Sequence, residues 1–167
     1  MAGDESLDLG YASSLHQLVE TLELQSVVQF RGTLDEKELL ELYQNADVFV
    51  WPNHNQSWGL AVFEAMACGT PVVVSRTAGA SEILTNRVNA FVVDPLDPLA
   101  IAGALRELAA DNDLRSTMAK MGLARARELS WASHAGEMLN LVNALQSQRN
   151  DELASGLGRT PIGSGRP

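Results

Sequence analysis

The sequence predicts an α/β domain built on a Rossmann-like, doubly wound parallel sheet. Three observations predict it. Short continuous apolar runs, such as "DVFVWP" (47–52) and "TPVVVS" (70–75), read as strands buried on both faces. Stretches with helical apolar spacing alternate with those runs. The connections between them are short and rich in Gly, Pro, Asn and Asp.

Each element has its own local reason. In "SSLHQLVETLEL" (13–24), Leu15, Leu18, Val19 and Leu22 recur at helical spacing. "VVQFRG" (27–32) is β-branched and aromatic and stops at Gly32, so a strand is expected there. The helix over 34–46 starts at Asp35, with Glu38 placed to complete a capping box. The strand over 47–52 is closed by Pro52, and a helix follows over 57–69, from Ser57 as cap to Gly69 as terminator. Beyond the strand at 70–75 come a short helix (79–86) and a strand (90–94). The helix over 97–110 has Asp97 at its N-cap and Pro98 at its first turn, the favoured order. Two amphipathic helices are expected over 113–129 and 130–148, the second with a stripe of Trp131, Ala135, Met138, Val142 and Leu145. Met118 and Met121 read as core fillers. A domain over 1–148 and a Gly/Pro/Ser-rich flexible tail over 149–167 are the resulting organisation.

Composition narrows the function classes. Hydrophobic residues make up 46% of the chain and charged ones 20%, an ordinary globular balance. A net charge of −9 without a basic cluster argues against a nucleic-acid partner, because phosphate backbones reward Lys and Arg. The single cysteine, Cys68, suits a reducing compartment, and it lacks a neighbouring base that would make it a nucleophile. No apolar run approaches the ~18 residues of a membrane span, and "MAGDESLDLG" lacks the pattern of a signal peptide. A cytoplasmic protein is therefore expected. His16, His54 and His134 show no metal-ligand spacing, so no metal site is expected. "AGDES" reads like the loop after a strand, yet no strand precedes it. The expectation is a domain without its first strand, with an exposed sheet edge suited to self-association.

In doubly wound folds ligands sit beyond the carboxyl ends of the strands. The loops at 31–35, 52–59, 75–79 and 94–97 are thus the candidates. The second carries the sharpest signal, "NHNQSWG" running into a helix. Gly59 permits close backbone approach, and the free N–H groups of the first turn, near Trp58, Gly59, Leu60 and Ala61, can receive a phosphate. An ordinary turn capped by Ser57 reads equally well. Glu64 stands among Val62, Phe63, Ala65, Met66 and Ala67, where a carboxylate needs a partner. It suits either a polyhydroxyl ligand in the cleft or a structural bond at the helix edge.

"WPNHNQSWGLAVFEAMACGTPVVVSRTAGASEILTNRVNAFVVDPLD" resembles the donor-binding half of family 4 glycosyltransferases, which have the GT-B fold. The matching pieces are Pro52, Gln56, Trp58, Gly59 and "EAMACGTPVVVS" from Glu64, and the resemblance extends over roughly residues 1 to 147. It implies the C-terminal half of a GT-B enzyme, a retaining, metal-independent hexosyltransferase that needs no cofactor and takes a UDP- or GDP-sugar as substrate. Glu64 would then bind the donor ribose, Ser57 to Ala61 the pyrophosphate and sugar, and Gly32, Thr33 and Leu34 the nucleobase. Gly79 and Glu82 match a second turn of the family pattern. Gln56 replaces a glutamate that touches the donor sugar in most members, which keeps hydrogen bonding and loses the charge. Arg87 and Ala90 replace glycines of a surface turn. The resemblance also implies a sugar or lipid acceptor bound by an N-terminal domain outside this chain, and peripheral membrane attachment in the whole enzyme. The alternative is a non-catalytic nucleotide or nucleotide-sugar binding module, or an inactive fragment.

Overall fold

The computed structural model of the protein describes residues 2–54, 58–129 and 131–154. Its sheet has three parallel strands in the order β1 (Phe49–Trp51), β2 (Val72–Ser75), β3 (Phe91–Val93). Phe49 pairs with Val72 and Trp51 with Val74. Val73 pairs with Phe91 and Ser75 with Val93. Each crossover carries a helical segment, as parallel pairing requires. The described helices are α1 (Leu9–Thr21), α2 (Glu36–Asn45), α3 (Leu60–Ala67), α4 (Pro98–Ala110), α5 (Asn112–Glu128) and α6 (Trp131–Ala154). Short 3-10 turns lie at Glu5–Leu7 and Gly79–Ile83.

Side-chain alternation assigns a helix layer to each face of the sheet. On one face Val73, Phe91 and Val93 pack with Ala104 and Leu108 of α4 and Met118 of α5, flanked by Val48 and Val50. On the other, Phe49 meets the Tyr43 ring of α2 edge-on at 5.5 Å. α3 packs there against β1 and β2, burying Val62, Ala65 and Met66. All four residues of β2 are buried, so the central strand is covered on both sides as a doubly wound sheet demands.

The helix starts follow their sequence signals. Asp35 accepts from the Glu38 N–H at 2.8 Å while the Glu38 carboxylate accepts from the Asp35 N–H at 3.1 Å, a complete capping box. Asp97 accepts from the N–H groups of Leu99 and Ala100, with Pro98 opening α4.

Several expectations are corrected. Residues 27–32 form no strand. A strand exists by pairing, and these residues join neither edge of the sheet. Their irregular course is held by the Gly3 N–H donating to the Gly32 carbonyl at 2.9 Å and by the Phe30 ring at 3.9 Å from His16. α1 buries none of its residues; Leu18 and Leu22 of the expected apolar stripe are exposed. Met118 is buried as expected, whereas Met121 is exposed. α6 continues to Ala154, beyond the expected end at residue 148. The rest of the expected tail, 155–167, lies outside the described residues.

The chain divides into two compact units, Met1–Leu123 and Ala124–Pro167. The first holds the sheet and its layers. In the second, Met138, Val142 and Leu145 of the expected α6 stripe are exposed, and the side chains of Trp131 and Ala135 are not described. No described helix is long and apolar enough to cross a membrane.

Candidate functional site

The candidate site grows from the carboxyl ends of β1 and β2. β1 ends at Trp51, and the chain passes Pro52, Asn53 and His54 before α3. Asn55, Gln56 and Ser57 lie outside the described residues, so the predicted sugar contact of Gln56 and the predicted cap of Ser57 fall there. Trp58, which follows them, is 49% exposed. α3 starts at Leu60, later than the sequence suggests, and its N-cap position belongs to Gly59 instead of Ser57. Gly59 sits in the left-handed region at φ 83°, ψ 49°, a conformation that disfavours any side chain there. No described side chain caps α3. The Val62 N–H donates to the Gly59 carbonyl at 3.0 Å, whereas the N–H groups of Leu60 and Ala61 have no intrahelical acceptor, and the helix dipole adds partial positive charge. This end of α3 can receive an anion.

The turn is pinned at both ends to the segment after β2. At one end the Asn53 carbonyl accepts from the Ser75 hydroxyl and from the Thr77 hydroxyl, the latter at 2.9 Å. At the other, the Ala80 N–H donates to the Trp58 carbonyl at 2.8 Å. Gly79 allows that closeness: a Cβ placed on it would lie 2.7 Å from the Trp58 ring and 3.2 Å from the Trp58 Cα. Gly79 therefore serves the packing of two turns beyond the strand ends. Glu82, on the same 3-10 turn, is exposed, as is His54. Close by, Arg76 is held by Asp94 at 2.7 Å. The indole Nε1 of Trp51 is buried beside Gly59 without a hydrogen-bond partner among the described residues.

Glu64 lies one turn into α3. The apolar residues around it suggest a buried carboxylate, but the residue is exposed. Val62, Ala65 and Met66 face the sheet, and the helical period turns Glu64 away from them. It is not isolated: the Tyr43 hydroxyl donates to Glu64 Oε2 at 3.1 Å. The Tyr43 phenol is pushed up to about 12, first by burial, then by donating to Glu64 and by that carboxylate's charge. The Cys68 thiol, one turn further on, is pushed up by burial and then by the same charge, so it stays a neutral packing group.

The structure thus joins Trp58, Gly59, Leu60, Ala61 and Glu64 on one turn and the helix it opens. Gly32, Thr33 and Leu34 lie on the loop that leads into α2. Gly32 is left-handed at φ 59° and bonded to Gly3, and no described hydrogen bond or ring contact links this loop to Glu64. Sequence reasoning missed Tyr43, Ser75 and Thr77. Tyr43 closes the apolar face of α2, where a tyrosine signals only packing, and its partner lies 21 positions on. Ser75 and Thr77 flank the end of a buried strand, and hydroxyls at a strand's carboxyl end were a readable sign of loop anchoring.

Residues 1–125 match the profile of the family described as Glycosyl transferases group 1. Over 150 residues the chain is 35% identical to D-inositol 3-phosphate glycosyltransferase of Corynebacterium urealyticum, covering 90% of this chain and 35% of that protein. The chain therefore spans about a third of the length of such curated relatives. Sucrose-phosphate synthase from Thermosynechococcus elongatus superposes with a TM-score of 0.71 at 32% identity, over 83% of this chain and 35% of that one. HepE of Anabaena, solved with UDP-glucose, has a TM-score of 0.76 at 24% identity over 86% of this chain and 40% of its own. These neighbours are GT-B glycosyltransferases, and the parallel α/β sheet described above corresponds to one half of that fold.

Proposed function

Because the chain belongs to the group 1 glycosyl transferases, we propose that it is the nucleotide-sugar-binding half of a family 4, retaining, metal-independent hexosyltransferase. The observation that carries this reading is the pinned turn before α3: a glycine-capped helix start with uncapped N–H groups, and an exposed carboxylate one turn on. The diphosphate of a UDP- or GDP-sugar binds the amides of Leu60 and Ala61. Glu64 accepts hydrogen bonds from the ribose hydroxyls. Gln56 contacts the donor sugar, and Gly32 to Leu34 line the base.

The chemistry follows from charge. Breaking the bond between the sugar and the diphosphate leaves negative charge on the phosphate oxygens. Fixed N–H dipoles at a helix start stabilise such charge without reorganising. Neutral Gln56 hydrogen-bonds the sugar without adding repulsion toward the diphosphate. HepE, a structural neighbour, was solved with UDP-glucose, which favours a UDP-sugar among the candidate donors. Transfer is proposed for an assembly that adds an acceptor-binding half for a sugar or a lipid, in the cytoplasm or at a membrane surface.

Calorimetric titration with UDP, GDP, ADP and UDP-glucose tests this. Saturable binding of UDP is expected, weakened roughly 10-fold or more in Glu64→Ala, which is the scale of one charge-assisted hydrogen bond. A folded chain that binds none of the four would overturn the reading.

A further inference from the structure

We propose that Tyr43 is a positioning residue of the donor site: its hydroxyl donates to Glu64 Oε2 and fixes the direction in which that carboxylate meets the ribose. The inference rests on the reading of Glu64 as the ribose ligand, and adds to it a residue of α2 that touches no ligand.

The physical case begins with Glu64. An exposed glutamate has three side-chain torsions and samples many rotamers, so a ligand that needs one of them must order it. Tyr43 supplies that order beforehand. It is 7% exposed, and its ring meets Phe49 of β1 edge-on at 5.5 Å. Its backbone is held as firmly. The Tyr43 carbonyl, in the last turn of α2, accepts from the buried Thr70 hydroxyl at 2.6 Å. The hydroxyl of a tyrosine fixed in this way turns only about its C–O bond, and its described acceptor is Glu64 Oε2 at 3.1 Å.

Chemistry supports the same role. Donation to a carboxylate is stronger than donation to a neutral acceptor. A phenol with its pKa raised to about 12 remains protonated, and so remains a donor, throughout the neutral range. A carboxylate offers about four lone-pair positions, and Tyr43 uses one. Enough remain for two vicinal hydroxyls. Tyr43 and Thr70 thereby make the sheet and α2 the rigid backing of a carboxylate on the far side of α3.

The test uses Tyr43→Phe, which keeps the ring and its packing and removes one oxygen. UDP and 2′,3′-dideoxyuridine 5′-diphosphate are titrated into the wild-type chain, Tyr43→Phe, Glu64→Ala and the double variant, with a thermal melt of each. Tyr43→Phe is expected to weaken UDP roughly 5- to 10-fold. The dideoxy ligand is expected to bind wild type and Tyr43→Phe equally, since it lacks the hydroxyls that Glu64 receives. The double variant should bind UDP no worse than Glu64→Ala. UDP affinity unchanged in Tyr43→Phe, or equal losses for both ligands, overturns the positioning role while a Glu64→Ala loss leaves the ribose reading standing. Undiminished UDP binding in Glu64→Ala, or no binding by the wild type, overturns both.

Discussion

At the scale of single residues, the proposed site depends on two groups whose roles come from where the fold places them. Glu64 was legible as an anomaly, because a carboxylate among Val62, Phe63, Ala65 and Met66 asks for a partner. Its exposure was not legible, since composition ignores which side of the helix a residue occupies. The partnership with Tyr43 was hidden for another reason: it joins two helices, α2 and α3, that strand β1 separates in sequence. That partnership has a pH signature. The Tyr43 phenol is raised from 10.0 to about 12 in the folded chain, chiefly by burial. The folded state thus holds its proton more tightly than the unfolded state. The associated stability is fully present below pH 10 and is lost as pH rises from about 10 towards 12. Ultraviolet titration should show a late phenolate step near pH 12 that Tyr43→Phe lacks. If wild type and variant gave the same ionisation curve, the buried donor would be excluded.

Among elements, the sequence read best where a signal is complete within a few residues. The Asp35–Glu38 box and the Asp97–Pro98 start of α4 are such signals, and both form as expected. So does the short apolar run of β2, whose four residues are all buried. The failures involve partners remote in sequence. Residues 27–32 have the composition of a strand, but strand formation requires a neighbour, and propensity does not supply one. The start of α3 was misplaced because Ser57 is a good cap by type, whereas the turn is decided by Gly59 and by its packing on the segment after β2. That packing is testable through Gly79. Adding a methyl group there would drive Cβ into Trp58, with backbone as close as 3.2 Å. Gly79→Ala is expected to destabilise the chain by roughly 1–3 kcal/mol in urea unfolding and to weaken UDP binding with it. An unchanged unfolding midpoint together with unchanged affinity would show that the two turns do not depend on each other.

For the whole molecule, the fold class was legible because alternation of apolar runs and helices is a global pattern that survives local errors. The extent of the sheet was not, since three strands form among the described residues where four were expected. One described cavity, about 320 Å³, is lined by residues such as Leu7, Tyr11, Leu15 and Phe30, none of them a predicted site residue. Charge acts at this scale too. The chain carries −9 and a nucleoside diphosphate is also an anion, so their long-range interaction is repulsive. Raising ionic strength from 0.02 to 0.15 M, by screening that repulsion, should speed UDP association about 2-fold or more. Stopped-flow rates that fall with added salt would instead reveal a local positive field at the site.

The order of the parallel strands also sets an order in time. Every ladder joins residues on opposite sides of a crossover, Phe49 with Val72 and Val73 with Phe91. A ribosome delivers the amino-terminal part first. While it does so, the β1–β2 ladder waits for β2 to emerge, and the β2–β3 ladder waits for β3. The anchors of the turn before α3, Ser75 and Thr77, arrive with the second strand, after Gly59 and Glu64. On the proposed function, competence to hold a nucleotide is therefore a late event in the birth of this chain, reached only when residues outside the proposed ligand contacts have closed the sheet behind it.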